Sequence, residues 1–159
     1  MLEKESALKK LDKGIIARIS SLLDTLISVF DNDLTKRIIH NDAKADNVIL
    51  GSPLTVIDLD TVMPGSMLYD YGDSMRIGTN TAKDDEKDLS KVSLDIELYE
   101  QYVRGYLTSA GGSLTREEVE LMPFSAKLMT LECGMRFLTD YIDGDLYFKV
   151  KAPEHNLIR

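Results

Sequence analysis

The sequence is poor in cysteine and contains no tryptophan. Cys133 is the only cysteine among 159 residues, which excludes an intrachain disulfide and any metal site built from several cysteines. It lies in an apolar helical pattern, which predicts a buried, unreactive thiol. No apolar run is long enough to span a membrane, and the first ten residues, MLEKESALKK, lack the apolar segment of a secretory signal. We therefore expect a cytoplasmic protein.

Positive charge is also in deficit. The chain has 19 Lys and Arg against 27 Asp and Glu, a net charge of −8. We therefore expect no broad basic surface, and neither nucleic acid nor a membrane as a partner. An acidic protein can still bind phosphate groups locally, where a lysine, an arginine or a divalent cation offsets the charge. The length predicts a single domain, 1–159, with its own core.

Helical spacing of apolar residues dominates the chain. It occurs in three segments, 15–30, 69–77 and 96–110. Thr115 and Glu118 then form a capping-box pattern that opens the longest helix, which runs to about Ile142. That helix is apolar on two sides, which predicts a central place in the core, and Pro123 predicts a kink or a restart.

A polar stretch interrupts the apolar pattern at residues 38–50, which read IIHNDAKADNVIL. Four of its side chains can carry chemistry: His40, Asp42, Lys44 and Asn47. A Gly-Ser-Pro turn follows, then a second short apolar run at 54–57 and Asp58. This pattern predicts a small β-hairpin that returns Asp58 to the side of Asn47. The fold class we expect is therefore mainly α with a small β-hairpin.

The residue types in this stretch suit a phosphate site with a hard cation. Carboxylate and amide oxygens are ligands of Mg²⁺, which takes one or two protein ligands together with phosphate oxygens and water. A lysine adds a compact positive charge for a phosphoryl oxygen. We therefore predict bound Mg²⁺ and a phosphorylated ligand in this region.

The motif H-x-D-x-K-x-x-N, followed by Ile57-Asp58, resembles the catalytic loop and the metal-binding aspartate of the protein-kinase-like fold. The longer runs HNDAKADNVIL and VIDLDTVMPGSMLYDYGDSMRIG resemble the aminoglycoside phosphotransferase and choline kinase superfamily, and within it the N-acetylhexosamine 1-kinases. The similarity covers most of residues 35–150, including LECGMRFLTDYIDGDLYFKV at 131–150.

The resemblance implies the C-terminal lobe of a kinase. It places a catalytic loop at 38–50, a metal-binding strand and turn at 54–65, and helices over 69–159. From this resemblance we expect the N-terminal nucleotide-binding lobe of such kinases to be absent from this chain.

Roles for individual residues follow from the same resemblance. Asp42 would orient the substrate hydroxyl and accept its proton, and Lys44 would neutralise charge on the transferred group. Many aminoglycoside kinases have histidine at the position of Lys44. Asn47 and Asp58 would hold Mg²⁺ against the phosphates of ATP.

Other residues are expected to support the site or to bind the acceptor. His40 is expected to brace the loop by hydrogen bonding. Asp60 would reach the metal or cap the following turn, and we favour the cap. Asp70 and Asp73, near Arg76, are expected to make structural hydrogen bonds.

Arg136 and Tyr147 are the candidates for contacts with the sugar, through an arginine fork and an aromatic face. The alternative is that Arg136 extends from the long helix into solvent and that Tyr147 packs on the lobe.

The function implied is ATP-dependent transfer of the γ-phosphate to a sugar hydroxyl, an N-acetylhexosamine at C1. Kinases for other alcohols remain as alternatives. Choline would call for an aromatic cage, which the absence of tryptophan disfavours, whereas the net charge of −8 suits a polycationic aminoglycoside. A further alternative is a catalytically silent binding or scaffold module. A metal-dependent hydrolase using Asp58 and Asp60 is weaker, because this pair makes only half of a two-metal site.

The missing lobe has two expected consequences. Phosphoryl transfer requires both substrates to be positioned, so we expect this chain by itself to have little or no kinase activity. We also expect an exposed apolar face, and self-association through it. The sequence leaves open the identity of the sugar, the anomer formed, and the choice between ATP and GTP.

Overall fold

The computed structural model describes residues 13–30, 34–83 and 86–159. The helices are α1 (Lys13–Phe30), α2 (Met67–Gly78), α3 (Ile96–Ala110), α4 (Arg116–Asp143) and the single turn α5 (His155–Ile158). The strands are β1 (Arg37–Ile39), β2 (Val48–Ile49), β3 (Thr55–Val56) and β4 (Met63–Gly65). The predicted fold class, mainly α with a small β part, is confirmed. Within the described ranges, no helix has the length and hydrophobicity needed to cross a membrane.

The strands form two nested antiparallel pairs. In the inner pair, β2 runs against β3 with Val48 opposite Val56, which is the predicted hairpin. In the outer pair, β1 runs against β4 with Ile39 opposite Met63, and the sequence pattern did not indicate this pairing. The polar loop after β1 and the turn before β4 are thereby enclosed between the two pairs.

The core centres on the contact between α2 and α4. A Cβ atom at Gly72 would lie 2.5 Å from the carbonyl oxygen of Ser125 and 2.8 Å from Met129, so the two helices approach closely here. Met75, one turn after Gly72, shares a buried cluster with Met122, one turn before Ser125. The two helices therefore run antiparallel, and α4 continues past the N-terminal end of α2.

Helix α4 takes the predicted central place in the core, but it departs from the sequence expectation at Pro123. It continues through Pro123 without a restart. Because proline has no N–H group, the carbonyl of Val119 lacks its helical hydrogen bond. Pro123 and Val119 are both exposed, so water can donate to that carbonyl instead. Most apolar residues of its two stripes are only half-buried, because part of that surface lines cavities. The prediction of a buried thiol is corrected as well, because Cys133 is only half-buried.

The start of α4 carries the predicted capping box together with a buried ion pair. Thr115 Oγ1 accepts from Glu118 N, and Glu118 Oε2 accepts from Thr115 N. Arg37 donates through Nε and Nη2 to the two carboxylate oxygens of Glu118 (2.9 and 2.8 Å), which is fully buried. The hydrogen bonds from Arg37 hold the pKa of Glu118 below its usual value, although burial acts in the opposite direction. This pair connects β1 to α4.

The close approach of α2 and α4 predicts a large effect of a single methyl group. Gly72→Ala should lower the free energy of unfolding by about 2 kcal/mol, because the added carbon meets backbone atoms that cannot rotate away. Gly134→Ala is the matched control, a glycine inside α4 with open space around it, and should raise stability by up to about 1 kcal/mol. Thermal unfolding followed by circular dichroism measures both. Equal stability of the two variants would contradict the packing described here.

The buried ion pair predicts a pH-dependent contribution to stability. Because the pKa of Glu118 is lowered in the folded protein, its stabilising effect is present at neutral pH and is lost as the pH falls through that lowered value. Glu118→Gln should cost about 2 kcal/mol at pH 7 and progressively less in acid.

Glu120→Gln is the control for this prediction, since it removes a charge from the exposed pair with Arg116, and should cost less than about 0.5 kcal/mol. Urea unfolding of both variants from pH 3 to pH 7 gives the measurement. A cost of Glu118→Gln that does not change with pH would argue against the ion pair as its cause.

Candidate functional site

The polar loop is fastened to the core at its first residues. Asp70, in the first turn of α2, accepts hydrogen bonds from the backbone N–H groups of His40 and Asn41, each at 2.7 Å. Thr61 Oγ1 donates to the carbonyl of His40 at 2.7 Å. Asn41 has a φ of 64°, a left-handed conformation that asparagine adopts more readily than most residues. The start of the loop is thus held from two sides.

Three of the predicted site residues meet at one carboxylate oxygen. Lys44 Nζ lies 2.7 Å from Asp42 Oδ2, and Asn47 Nδ2 lies 2.9 Å from the same atom. Asn47 Nδ2 also donates to the main-chain carbonyl of Asp42 at 2.8 Å. Asn47 is buried at the end of a short 3-10 turn, and the pair formed by Asp42 and Lys44 is about one-third exposed. The loop therefore holds the carboxylate of Asp42 next to the ammonium group of Lys44.

The electrostatics of this cluster keep both charged groups ionised. Partial burial alone would raise the pKa of Asp42, but the hydrogen bonds from Lys44 and Asn47 and the charge of Lys44 bring it below its usual value. The hydrogen bond to Asp42 raises the pKa of Lys44, and the nearby charges of Asp58 and Asp73 add to this rise. At neutral pH the site therefore contains a carboxylate and an ammonium group.

The hairpin brings Asp58 to this cluster. Ile57 N donates to the carbonyl of Asn47 at 3.0 Å. Asp58 is the next residue after Ile57, so its backbone lies close to Asn47. Asp58 is exposed and has a φ of 64°, which makes it a second left-handed residue of the site. Its charge acts on Lys44, as stated above, so the hairpin places Asp58 on the side of the predicted loop residues.

The remaining loop candidates occupy different surroundings. His40 Nε2 lies 2.9 Å from the carbonyl oxygen of Ile57, so Nε2 carries the proton and the ring joins the loop to the hairpin. Asp60 lies inside the 3-10 turn Leu59–Thr61 and is exposed, whereas Asp58 occupies the N-cap position of that turn. The described residues provide no side-chain hydrogen bond to Asp60, so the cap that we favoured for it is not seen.

Asp73 has the expected structural role and also acts electrostatically on the loop cluster. It forms the expected ion pair with Arg76, at 2.8 Å, and it is buried. Its charge also acts on Lys44. The signal was in the sequence, because Asp70 and Asp73 are three residues apart and share one face of α2.

The two acceptor candidates lie together in another part of the molecule. The guanidinium group of Arg136 is 5.8 Å from the ring centroid of Tyr147 and 5.6 Å from that of Phe148. They line a cavity of about 560 Å³, and the other described residues of its lining are Leu23, Leu128, Glu132, Met135, Thr139, Asp140 and Asp143. None of the described residues that line this cavity comes from the loop 38–50. Phe148 and Asp140 had not been predicted as site residues.

The loop cluster contains two oxygen donors of the kind that a hard cation binds. The side-chain hydrogen bonds of Asn47 described above use Nδ2, which leaves Oδ1 as an acceptor, and Asp58 adds a carboxylate. In the part of the chain that the structure describes, no group of three or more His, Cys, Asp or Glu side chains is placed to hold a metal. Two oxygen donors suit Mg²⁺ when phosphate oxygens and water complete its coordination.

Comparison with known families agrees with this chemistry. A sequence model of APH, a phosphotransferase enzyme family, matches residues 2–120, which include the whole polar loop, Asp58 and Asp70. The match ends before Arg136 and Tyr147, so the two acceptor candidates lie beyond it. Because the matched residues make up most of the chain and contain its polar cluster, the chain belongs to this phosphotransferase enzyme family.

Proposed function

We propose that this chain carries the phosphoryl-transfer site of a small-molecule kinase, which moves the γ-phosphate of ATP to the C1 hydroxyl of an N-acetylhexosamine. The observation that supports it most is the convergence of Lys44 and Asn47 on one oxygen of Asp42, with Asp58 returned to the same place by the hairpin. In the kinases that this sequence resembles, the residues at these four positions perform catalysis and bind the metal.

Asp42 would act on the acceptor hydroxyl. Its Oδ2 is occupied by Lys44 and Asn47, which leaves Oδ1 to accept the hydroxyl hydrogen bond. The acceptor oxygen forms a bond to the γ-phosphorus while the bond from that phosphorus to the β–γ bridging oxygen breaks, and ADP leaves. The hydroxyl proton passes to Oδ1. Because the pKa of Asp42 is lowered, it is a weak base, which suits orientation of the hydroxyl and late transfer of the proton.

Lys44, Asn47 and Asp58 would manage the negative charge of the phosphates. Lys44 remains an ammonium group at neutral pH and can donate to a γ-phosphate oxygen. Asn47 Oδ1 and the carboxylate of Asp58 would hold Mg²⁺, which supplies charge neutralisation for the phosphates when it is bound.

The cavity at Arg136 is the proposed acceptor pocket. The ring of Tyr147 offers a flat face and the guanidinium group of Arg136 offers hydrogen-bond donors, a combination that suits a pyranose with an acetamido group. The part of α4 that lines this cavity extends beyond the N-terminal end of α2. Asp70, which binds the loop, lies at that same end of α2. This placement supports an acceptor site and a transfer site on the same side of the molecule.

A polycationic aminoglycoside is the second candidate acceptor. The cavity contains the acidic residues Glu132 and Asp143, and the net charge is −8. Competition between N-acetylglucosamine and kanamycin, followed by chemical shifts of residues in the cavity, distinguishes the two acceptors.

The proposed cation site predicts a magnesium-dependent nucleotide affinity. Asp58→Asn should weaken ATP binding at least about tenfold in the presence of Mg²⁺, because one charged ligand is lost, and should have no such effect in EDTA. Asp60→Asn is the matched control, an exposed aspartate two residues away, and should change affinity less than about twofold. Isothermal titration calorimetry with ATP, with and without Mg²⁺, measures all three proteins.

Two outcomes would contradict the proposal. Equal losses in Asp58→Asn and Asp60→Asn would indicate a general effect of charge. No heat for the unmutated chain at millimolar ATP and Mg²⁺ would favour a catalytically silent binding module.

We also propose that a second copy of the chain covers the apolar surface of the hairpin region. Leu50, Leu54 and Leu59 lie in this region and expose 86%, 63% and 60% of their surface. Exposed apolar groups grouped in this way favour association.

Self-association should therefore depend on these leucines. The double variant Leu50→Lys/Leu54→Lys should be monomeric at concentrations at which the unmutated chain associates. Leu146→Lys, an equally exposed leucine elsewhere, should leave association unchanged. Sedimentation equilibrium makes the comparison, and a monomeric unmutated chain at high concentration would exclude this contact.

A further inference from the structure

Part of the cavity wall has no helix or strand to hold it. Tyr147 and Phe148 lie in irregular chain between α4 and α5, after a reversal in which Gly144 and Asp145 adopt left-handed backbone (φ 98° and 58°). The two rings are 4.8 Å apart, and Arg136 lies against both of them. Backbone in such a segment needs hydrogen-bond partners from outside any helix or strand.

The side chain of Asp140 provides these partners. Its Oδ1 accepts from the N–H groups of Leu146 and Tyr147 (2.9 and 2.8 Å), and its Oδ2 accepts from that of Phe148 (3.0 Å). Asp140 is buried in the last turn of α4, where the helix dipole disfavours a negative charge. Burial alone would raise the pKa of Asp140, but the three N–H groups hold it below its usual value.

A second buried side chain holds Asp140 in turn. Asn156 Nδ2, on α5, donates to Asp140 Oδ2 and to Asp145 Oδ1, both at 2.8 Å. Asn156 Oδ1 accepts from Arg159 Nη1 at 3.1 Å, and the guanidinium of Arg159 lies 4.9 Å from the ring centroid of Phe137 on α4. The C-terminal turn is thereby connected to the backbone of the cavity wall.

We propose that Asp140 is a positioning residue of the acceptor pocket. Its carboxylate fixes the backbone that carries Tyr147 and Phe148, and Asn156 fixes the carboxylate, so that acceptor affinity depends on the short helix α5. This inference rests on the proposed function, because it takes the ligand of the cavity to be the sugar acceptor. It assigns Asp140 no contact with the reacting atoms.

The test compares three variants of the full chain. Asp140→Asn keeps the shape but loses an acceptor oxygen, and Asn156→Ala removes one hydrogen-bond partner while Asp140 stays in place. Asp24→Asn is the matched control, because it removes the same charge from an exposed aspartate that does not line the cavity. N-acetylglucosamine is the probe, titrated by ¹H–¹⁵N NMR. Hydrogen exchange of the amides of Leu146, Tyr147 and Phe148 and calorimetry with Mg·ATP complete the measurements.

A positioning role predicts a specific pattern. Asp140→Asn should accelerate exchange of the three amides and weaken N-acetylglucosamine binding, each at least about tenfold. Asn156→Ala should act in the same direction, by about threefold or more. Affinity for Mg·ATP should stay within about twofold in both variants, and Asp24→Asn should change every quantity less than about twofold.

Other results would overturn the proposal. Retained sugar affinity in Asp140→Asn would do so, as would an equal loss of Mg·ATP affinity, which indicates a general effect on the fold. If Asp140→Asn does not fold, the same criteria applied to Asn156→Ala decide. No sugar binding by an unmutated chain that binds Mg·ATP would remove the acceptor proposal and this inference together, whereas a failure confined to the variants removes this inference alone.

Discussion

The two hydrogen bonds from the backbone of His40 and Asn41 to the carboxylate of Asp70 connect the polar loop to the helical core. Asp70 lies in the first turn of α2, where the helix dipole favours a carboxylate. Two residues later Gly72 makes the close contact with Ser125 on α4. Packing and site geometry therefore meet within one turn of a single helix. A change in how α2 sits on α4 would move the loop as well.

The molecule uses the same device in two places. Asp70 binds two backbone N–H groups at the start of the loop, and Asp140 binds three in the wall of the cavity. In both places a carboxylate on a helix fixes irregular backbone that has no strand partner. The hydrogen bonds to these carboxylates hold irregular segments in place, including the left-handed residues Asn41 and Gly144, so that the side chains of those segments have fixed positions.

Local signals in the sequence were sufficient for several features. The capping box of Thr115 and Glu118 is an interaction between residues three positions apart, so its pattern can be found without knowledge of the fold. The inner hairpin was equally accessible because a short turn joins its strands. The pairing of β1 with β4 was missed, since each strand has three residues and a long segment separates them. The cap expected of Asp60 is not seen among the described residues, where Asp58 occupies the N-cap position of that turn.

Local patterns of residues are enough to predict the helices and the polar loop, and the motif in that loop agrees with the family to which the chain belongs. Those properties depend on neighbours within a few positions along the chain. Tertiary structure decided which charges act together, for example Asp73 on Lys44 and Arg37 on Glu118. It also decided that Asp140 holds the cavity wall. These contacts form where the chain folds back on itself, and the number of residues between the partners does not predict whether they meet in the fold.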